Sequence, residues 1–170
     1  MILVTVGMQL AFDRLVQAMD ELAPSLAMPV VAQTGEGEYR PRNIEAHARL
    51  APAEFERRMR ASRLIVSHAG IGTVLAAQRA MKPVVLFPRR MALGEHRNDH
   101  QLATVAQLAE RSGILVAMTA DDLPETIARG LDLQFEPGAA LPSPNAAGLH
   151  EAIASFIETG SLGPDLGRNR

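Results

Sequence analysis

The chain has no cysteine and no tryptophan, and aromatic residues make up only 4% of its 170 positions. Without cysteine there can be no disulfide framework, no thiol catalysis and no thiolate metal site, and the composition suits a reducing compartment. Neither sign of charge is in excess: 17 Lys and Arg face 19 Asp and Glu, for a net charge of −2 and a pI near 6.2. The clustered basic excess that accompanies nucleic-acid binding is therefore missing, and no nucleic-acid partner is expected. No apolar run approaches the ~20 residues needed to cross a bilayer. The first residues, Met1-Ile2-Leu3-Val4-Thr5-Val6-Gly7, enter a strand pattern at once, without the charged and long apolar regions of a secretory leader. A cytoplasmic chain is the expectation. What the sequence does have is apolar residues, 47% of the total, enough for one core and one domain.

Apolar runs alternate with helical periods. Strands are expected at Ile2–Val6, Met28–Ala32, Arg63–Ser67, Pro83–Phe87 and Ile114–Ala117, with a weaker candidate at Asn43–Leu50. Helices are expected at Phe12–Leu22, where Phe12, Leu15, Val16, Met19 and Leu22 share a face, and from Pro52 to about Ser62. Others run over Thr73–Met81 and from Asn98 to about Arg111, with Gly113 as the stop. Thr119 and Asp122 form a capping-box pattern for a helix through Leu131. Ala139–Gly148 reads as irregular, Leu149–Glu158 as a short amphipathic helix and residues 160–170 as a flexible tail, so one domain over 1–159 is expected. Strands buried on both faces and separated by helices predict an α/β fold: a single Rossmann-like, doubly wound parallel sheet.

In such a sheet ligands sit beyond the carboxyl ends of the strands, where strand order reverses. The most informative segment falls at such an end: Ser67-His68-Ala69-Gly70-Ile71-Gly72-Thr73 follows the apolar run Leu64-Ile65-Val66 and opens a helix. A Gly-rich turn feeding a helix N-terminus aims backbone N–H groups and the positive end of the helix dipole at one spot, suited to phosphate. A tight turn needing Gly only for its geometry is the plainer alternative. Gly7-Met8-Gln9, Gln33-Thr34-Gly35 and Pro88–Gln101 converge on the same edge and favour the phosphate site. Arg89, Arg90 and Arg97 cluster there as well; a solvated basic turn is the commoner outcome for such a run, and contact with carboxylate or phosphate is the other. His96 and His100 are four apart beside Asp99, but no third ligand motif accompanies them, so no metal is expected.

The ordered set Val4-Thr5-Val6-Gly7, Phe12-Asp13-Arg14-Leu15-Val16, Gln33-Thr34-Gly35, Ser67–Thr73, Lys82–Arg90, Gly94-Glu95-His96 and Asn98-Asp99-His100-Gln101-Leu102 carries a resemblance over roughly residues 1–130. It resembles the C-terminal, donor-binding half of family 28 GT-B glycosyltransferases, the lipid-II N-acetylglucosaminyltransferase type. More narrowly, it is similar to the short soluble subunits of bipartite bacterial exopolysaccharide glycosyltransferases, whose eukaryotic relatives make dolichol-linked chitobiose from UDP-GlcNAc. The resemblance implies an inverting transferase split over two polypeptides. This subunit would bind a UDP-sugar without a cofactor, and a membrane-associated partner would hold a lipid-linked acceptor and supply the catalytic base. The chain would thereby be peripheral to the inner face of the plasma membrane. A length of 170 residues suits one Rossmann-like domain rather than the two of a GT-B cleft.

Carried onto this sequence, the resemblance assigns Gly7, Gln9, Gly70, Gly72 and Thr73 to the UDP-sugar, with His68 as a side-chain donor to phosphate or sugar. Asn98, Asp99, His100 and Gln101 would read the sugar. The catalytic residue is not assigned. One departure stands out: three positions after Thr73, where the family usually has an acidic residue for the ribose, this chain has Ala76. That departure keeps open a second class, a non-catalytic or regulatory module of the same fold with weakened nucleotide binding. A Rossmann oxidoreductase is disfavoured, because the turn after the first strand, Gly7-Met8-Gln9-Leu10-Ala11, lacks G-x-G-x-x-G.

Overall fold

A computed structural model of the chain describes residues 1–133. Six strands, β1 (Ile2–Thr5), β2 (Val30–Gln33), β3 (Glu45–His47), β4 (Leu64–Ser67), β5 (Val84–Leu86) and β6 (Ile114–Val116), form one sheet in the order β3-β2-β1-β4-β5-β6. Every neighbouring pair is parallel. Strand order reverses between β1 and β4, which places the switch point at the carboxyl ends of those two central strands.

Five helices complete the described fold: α1 (Asp13–Leu22), α2 (Pro52–Ala61), α3 (Ile71–Arg79), α4 (His100–Leu108) and α5 (Leu123–Asp132). The period-2 alternation of β1 divides the core. Ile2 and Val4 pack on one face with Leu15, Val16 and Met19 of α1 and Leu123 and Ile127 of α5. Leu3 packs on the other with Met59 of α2, Val74 and Ala77 of α3, and Val105 and Leu108 of α4. Cover on both sides explains why β1 and β4 are buried throughout and why they read as unbroken apolar runs.

Several boundaries differ from the sequence reading. The candidate over Asn43–Leu50 shortens to β3, a largely exposed edge strand paired to β2, whose approach is also held by a side chain. Asp20, only 2% exposed, accepts the backbone N–H of Arg42 (2.9 Å) and Asn43 (2.6 Å) and the Tyr39 hydroxyl (2.9 Å). Burial alone would raise its pKa, but those donors outweigh burial and hold the carboxylate below its ordinary value. The helix read from Asn98 to Arg111 spans only His100–Leu108, and the one read from Thr73 starts at Ile71. The capping box forms: Asp122 Oδ2 accepts from Thr119 N at 2.8 Å and opens a 3-10 turn that runs into α5. The irregular segment Ala139–Gly148, the helix Leu149–Glu158 and the tail 160–170 lie outside the described residues.

Candidate functional site

The turn from β4 into α3 carries His68 and its glycines. Gly70 N donates to His68 O (2.8 Å), and Thr73 N and Val74 N donate back to Gly70 O (3.1 and 3.2 Å). The N–H groups of Ile71 and Gly72 thus open α3 with no carbonyl of their own helix to reach. Gly7 (φ +80) and Gly70 bracket the His68 ring: a Cβ at Gly7 would lie 2.6 Å from His68 Cε1, and one at Gly70 would collide with Nε2. Both glycines make room for the imidazole. A Cβ at Gly72 would meet nothing within 4 Å, so its backbone borders open space.

Burial, and secondly the nearby Arg89 charge, push the His68 pKa down to about 4, so the ring is neutral at pH 7. The Ser67 hydroxyl donates to His68 O (2.8 Å) and lies 3.3 Å from His68 Nδ1. A hydrogen bond from the ring to the Thr5 backbone opposes part of the fall in pKa. The Nε2 edge of the ring faces Gly70, the start of the turn into α3. A neutral imidazole carries one N–H, the single proton it has to share between the backbone around it and a phosphate oxygen.

Two cavities meet at His68 and Met8, which line both. The larger, about 420 Å³, lies over the start of α3, bordered by Gly7, Gly70, Gly72, Thr73, Phe55 and Ala76. The smaller, about 240 Å³, lies towards α4 and is lined by Gln9, Arg89, His96 and Gln101. Of the residues proposed from sequence, Gly7, Gln9, His68, Gly70, Gly72, Thr73 and Gln101 therefore reach one cavity or the other. Asn98, Asp99 and His100 line neither. Asn98 Oδ1 lies 3.0 Å from His96 Nδ1 and accepts His100 N at 3.3 Å, and Asp99 Oδ1 accepts Met91 N at 2.9 Å. These three order the β5–α4 loop. Among the described residues no trio of His, Asp and Glu side chains gathers where a metal could bind.

Gln101 does two things. Its Oε1 accepts both Ala69 N (3.1 Å) and Arg89 N (3.0 Å), bracing the β4–α3 turn against the start of the β5–α4 loop. Its Nε2 finds no partner among the described residues and is left for the cavity that Gln101 lines.

Arg89 departs furthest from expectation. Instead of a solvated basic turn it is 2% exposed. Its guanidinium donates to Val6 O (2.8 Å), Leu10 O (2.7 Å) and Ala11 O, and sits 4.4 Å from the Phe12 ring centroid. Burial lowers its pKa to about 10, a fall that the Glu95 charge partly opposes. Beside it, Arg14 forks onto Glu95 (2.6 and 2.8 Å) and reaches Pro88 O (2.8 Å). The β1–α1 and β5–α4 loops are thereby fastened together beneath the smaller cavity. Nothing in the local sequence distinguishes Arg89 from Arg90, because its acceptors lie about eighty residues earlier.

A parallel sheet in this order, with a Gly-rich turn and a helix N-terminus at its switch point, defines a single Rossmann-like α/β domain of the kind that forms the C-terminal half of GT-B enzymes. Residues 1–156 match the glycosyltransferase family 28 C-terminal domain, and the chain belongs to that family. No curated protein matches it. Among solved structures it is similar to the glycotransferase of kitacinnamycin (TM-score 0.62, 18% identity, 92% of this chain and 42% of that one). It is also similar to CalG4, the calicheamicin glycosyltransferase (TM-score 0.61, 18% identity, 94% and 43%). A third is the glycosyltransferase SsfS6 of Streptomyces sp. SF2575, solved in complex with thymidine diphosphate (TM-score 0.59, 21% identity, 92% and 40%). At these identities the likeness is one of fold, and the chain spans about two-fifths of the length of each.

Proposed function

We propose that this chain is the donor-binding component of an inverting glycosyltransferase. It takes up a UDP-sugar, and a membrane-associated partner subunit holds a lipid-linked acceptor and supplies the catalytic base. The observation that carries this reading is the pair of cavities joined at His68. One sits over a helix N-terminus with unsatisfied N–H groups, suited to a diphosphate and its nucleoside; the other, adjoining it, offers the neutral amides of Gln9 and Gln101. In the larger, Gly7, Gly70, Gly72 and Thr73 hold the diphosphate through backbone and hydroxyl groups, with His68 on its flank. In the smaller, Gln9 and the Nε2 of Gln101 read sugar hydroxyls, a form of contact that discriminates strongly between substrates. Asn98, Asp99 and His100 serve the sugar indirectly, through the loop that they order. Arg89 is spent on carbonyls, so the leaving diphosphate is stabilised by helix N–H groups and neutral donors rather than by a free cation.

Assignment to exopolysaccharide assembly, at the inner face of the plasma membrane, follows from the motif resemblance. The described fold supplies one wall of a cleft, and the partner supplies the other. Met8, Leu10, Met91 and Leu93, all exposed on the two fastened loops, give that partner an apolar rim. The test is sugar transfer from UDP-sugars to a lipid-linked acceptor by the purified chain, with and without membranes carrying the candidate subunit. Transfer is expected only with the membranes, and robust transfer by the chain alone would refute the two-component reading. A non-catalytic module of the same fold is the second reading, favoured by the methyl group at Ala76 in the cavity wall; it requires that UDP fail to bind.

A further inference from the structure

The larger cavity bears on the chemical class of the donor, an inference that rests on the nucleotide reading above. Thr73 and Ala76 are three apart on one face of α3, so Ala76 lies about 4.5 Å further along the axis than the phosphate end. That is about one step from a diphosphate to the pentose that carries it. Both residues line the cavity, and where the pentose would rest the wall is the Ala76 methyl.

The polar side chains lining the cavity are all uncharged: Thr5, Gln33, Thr73 and the neutral His68. Gln33, 3% exposed, already donates Nε2 to Met8 Sδ (3.2 Å). Beyond Ala76, the charged Glu56, Arg60 and Arg79 belong to a separate recess of about 280 Å³ that shares only Phe55 and Ala76 with the cavity. Among the described residues no carboxylate lines the cavity.

A site rejects a ligand lacking one hydroxyl when the absent group leaves a buried partner unpaired. An orphaned buried partner weakens binding about fivefold or more, most of all when it is charged, whereas a methyl group facing the missing hydroxyl leaves nothing orphaned. We propose that this cavity does not demand a ribose 2′-hydroxyl and accepts 2′-deoxyribonucleoside diphosphates, thymidine diphosphate and its sugars among them, alongside UDP. The thymine methyl costs nothing in a cavity walled by Leu50, Pro52 and Phe55.

Calorimetric titration of the full chain with UDP, dUDP and TDP tests this. The three are expected to bind within about fivefold of one another. Binding of dUDP more than tenfold weaker than UDP overturns the proposal while leaving the nucleotide site intact. Failure of all three to bind overturns the site itself and the proposal with it. Ala76→Glu, checked for folding by circular dichroism, sets a carboxylate at the pentose position and is expected to create a tenfold or greater preference for UDP over dUDP. If the folded variant changes neither affinity nor preference, the pentose does not lie at Ala76 and the proposal falls.

Discussion

Acidification offers a direct probe of the site through His68. Its ring titrates at about 4 in the fold against an ordinary 6.5, so between those values the unfolded chain takes up a proton that the folded chain refuses. Stability is therefore complete above pH 6.5 and declines as the pH falls towards 4. At about 1.4 kcal/mol per pH unit the whole shift is worth roughly 3 kcal/mol, of which about 2 kcal/mol is gone by pH 5. Urea unfolding at pH 7, 6, 5 and 4.5 on the wild type and on His68→Gln reads this out. The variant is expected to start less stable at pH 7, having lost the ring packed between Gly7 and Gly70, and then to change little down to pH 5. Parallel slopes for the two proteins would refute the buried, neutral imidazole. The same ring predicts linked protonation. A diphosphate placed beside Nε2 raises the pKa of His68, so UDP binding at pH 5.5 should take up protons, seen as a dependence of the binding heat on the ionisation enthalpy of the buffer. His68→Gln should abolish that dependence.

Gln101→Ala orphans the N–H groups of Ala69 and Arg89 and should cost about 2–4 kcal/mol of stability, whereas Gln101→Glu keeps an acceptor for both. The Glu variant should bind UDP like wild type yet lose UDP-sugar affinity, and equal losses for both ligands would refute a sugar contact for Nε2. Arg89→Met leaves three carbonyls without their donor and should destabilise by about 3–5 kcal/mol in chemical denaturation. A loss below 1 kcal/mol would show that the loops hold without it. Asp20→Ala should cost about 2–4 kcal/mol by freeing the segment before β3. Because the pKa of Asp20 is lowered, its contribution is present above about pH 4 and fades as the pH falls through that lowered value, a window below that of His68.

The parts of the fold written in neighbouring residues were legible. Ile2–Thr5 and Leu64–Ser67 are apolar because helices cover both faces of the sheet, and the Ser67–Thr73 turn announces itself through Gly70 and Gly72 before a helical period. Four loops were expected on the carboxyl edge, and the strand order puts β1 and β4 side by side there. What could not be read depends on partners distant in sequence. Pro88-Arg89-Arg90 looks like a basic surface turn, and only the return of the chain from β1 to Ala11 turns Arg89 inward. Gln101 signals a polar helix start but not the two backbone N–H groups that engage it from other loops. Asn98 and Asp99 have the right chemistry for a sugar, and their own loop uses it. The edge strand β3 has no apolar pattern of its own to read: it is held by pairing with β2 and, just before it, by Asp20 on a helix two elements earlier.

The way Arg89 holds the β1–α1 loop has an evolutionary side. Its acceptors are the carbonyl oxygens of Val6, Leu10 and Ala11, and every residue type carries a carbonyl. The path of the loop is thus set by groups that mutation cannot remove, while Met8, Gln9 and Leu10 project from it with few obligations to the core; Met8 is 71% exposed. Under the proposed function, substitutions at these three positions would change what the rim meets without moving the backbone that presents them. Sequence drift in the loop and constancy at position 89 should go together, so that lineages with different donors keep one scaffold and exchange only its fringe.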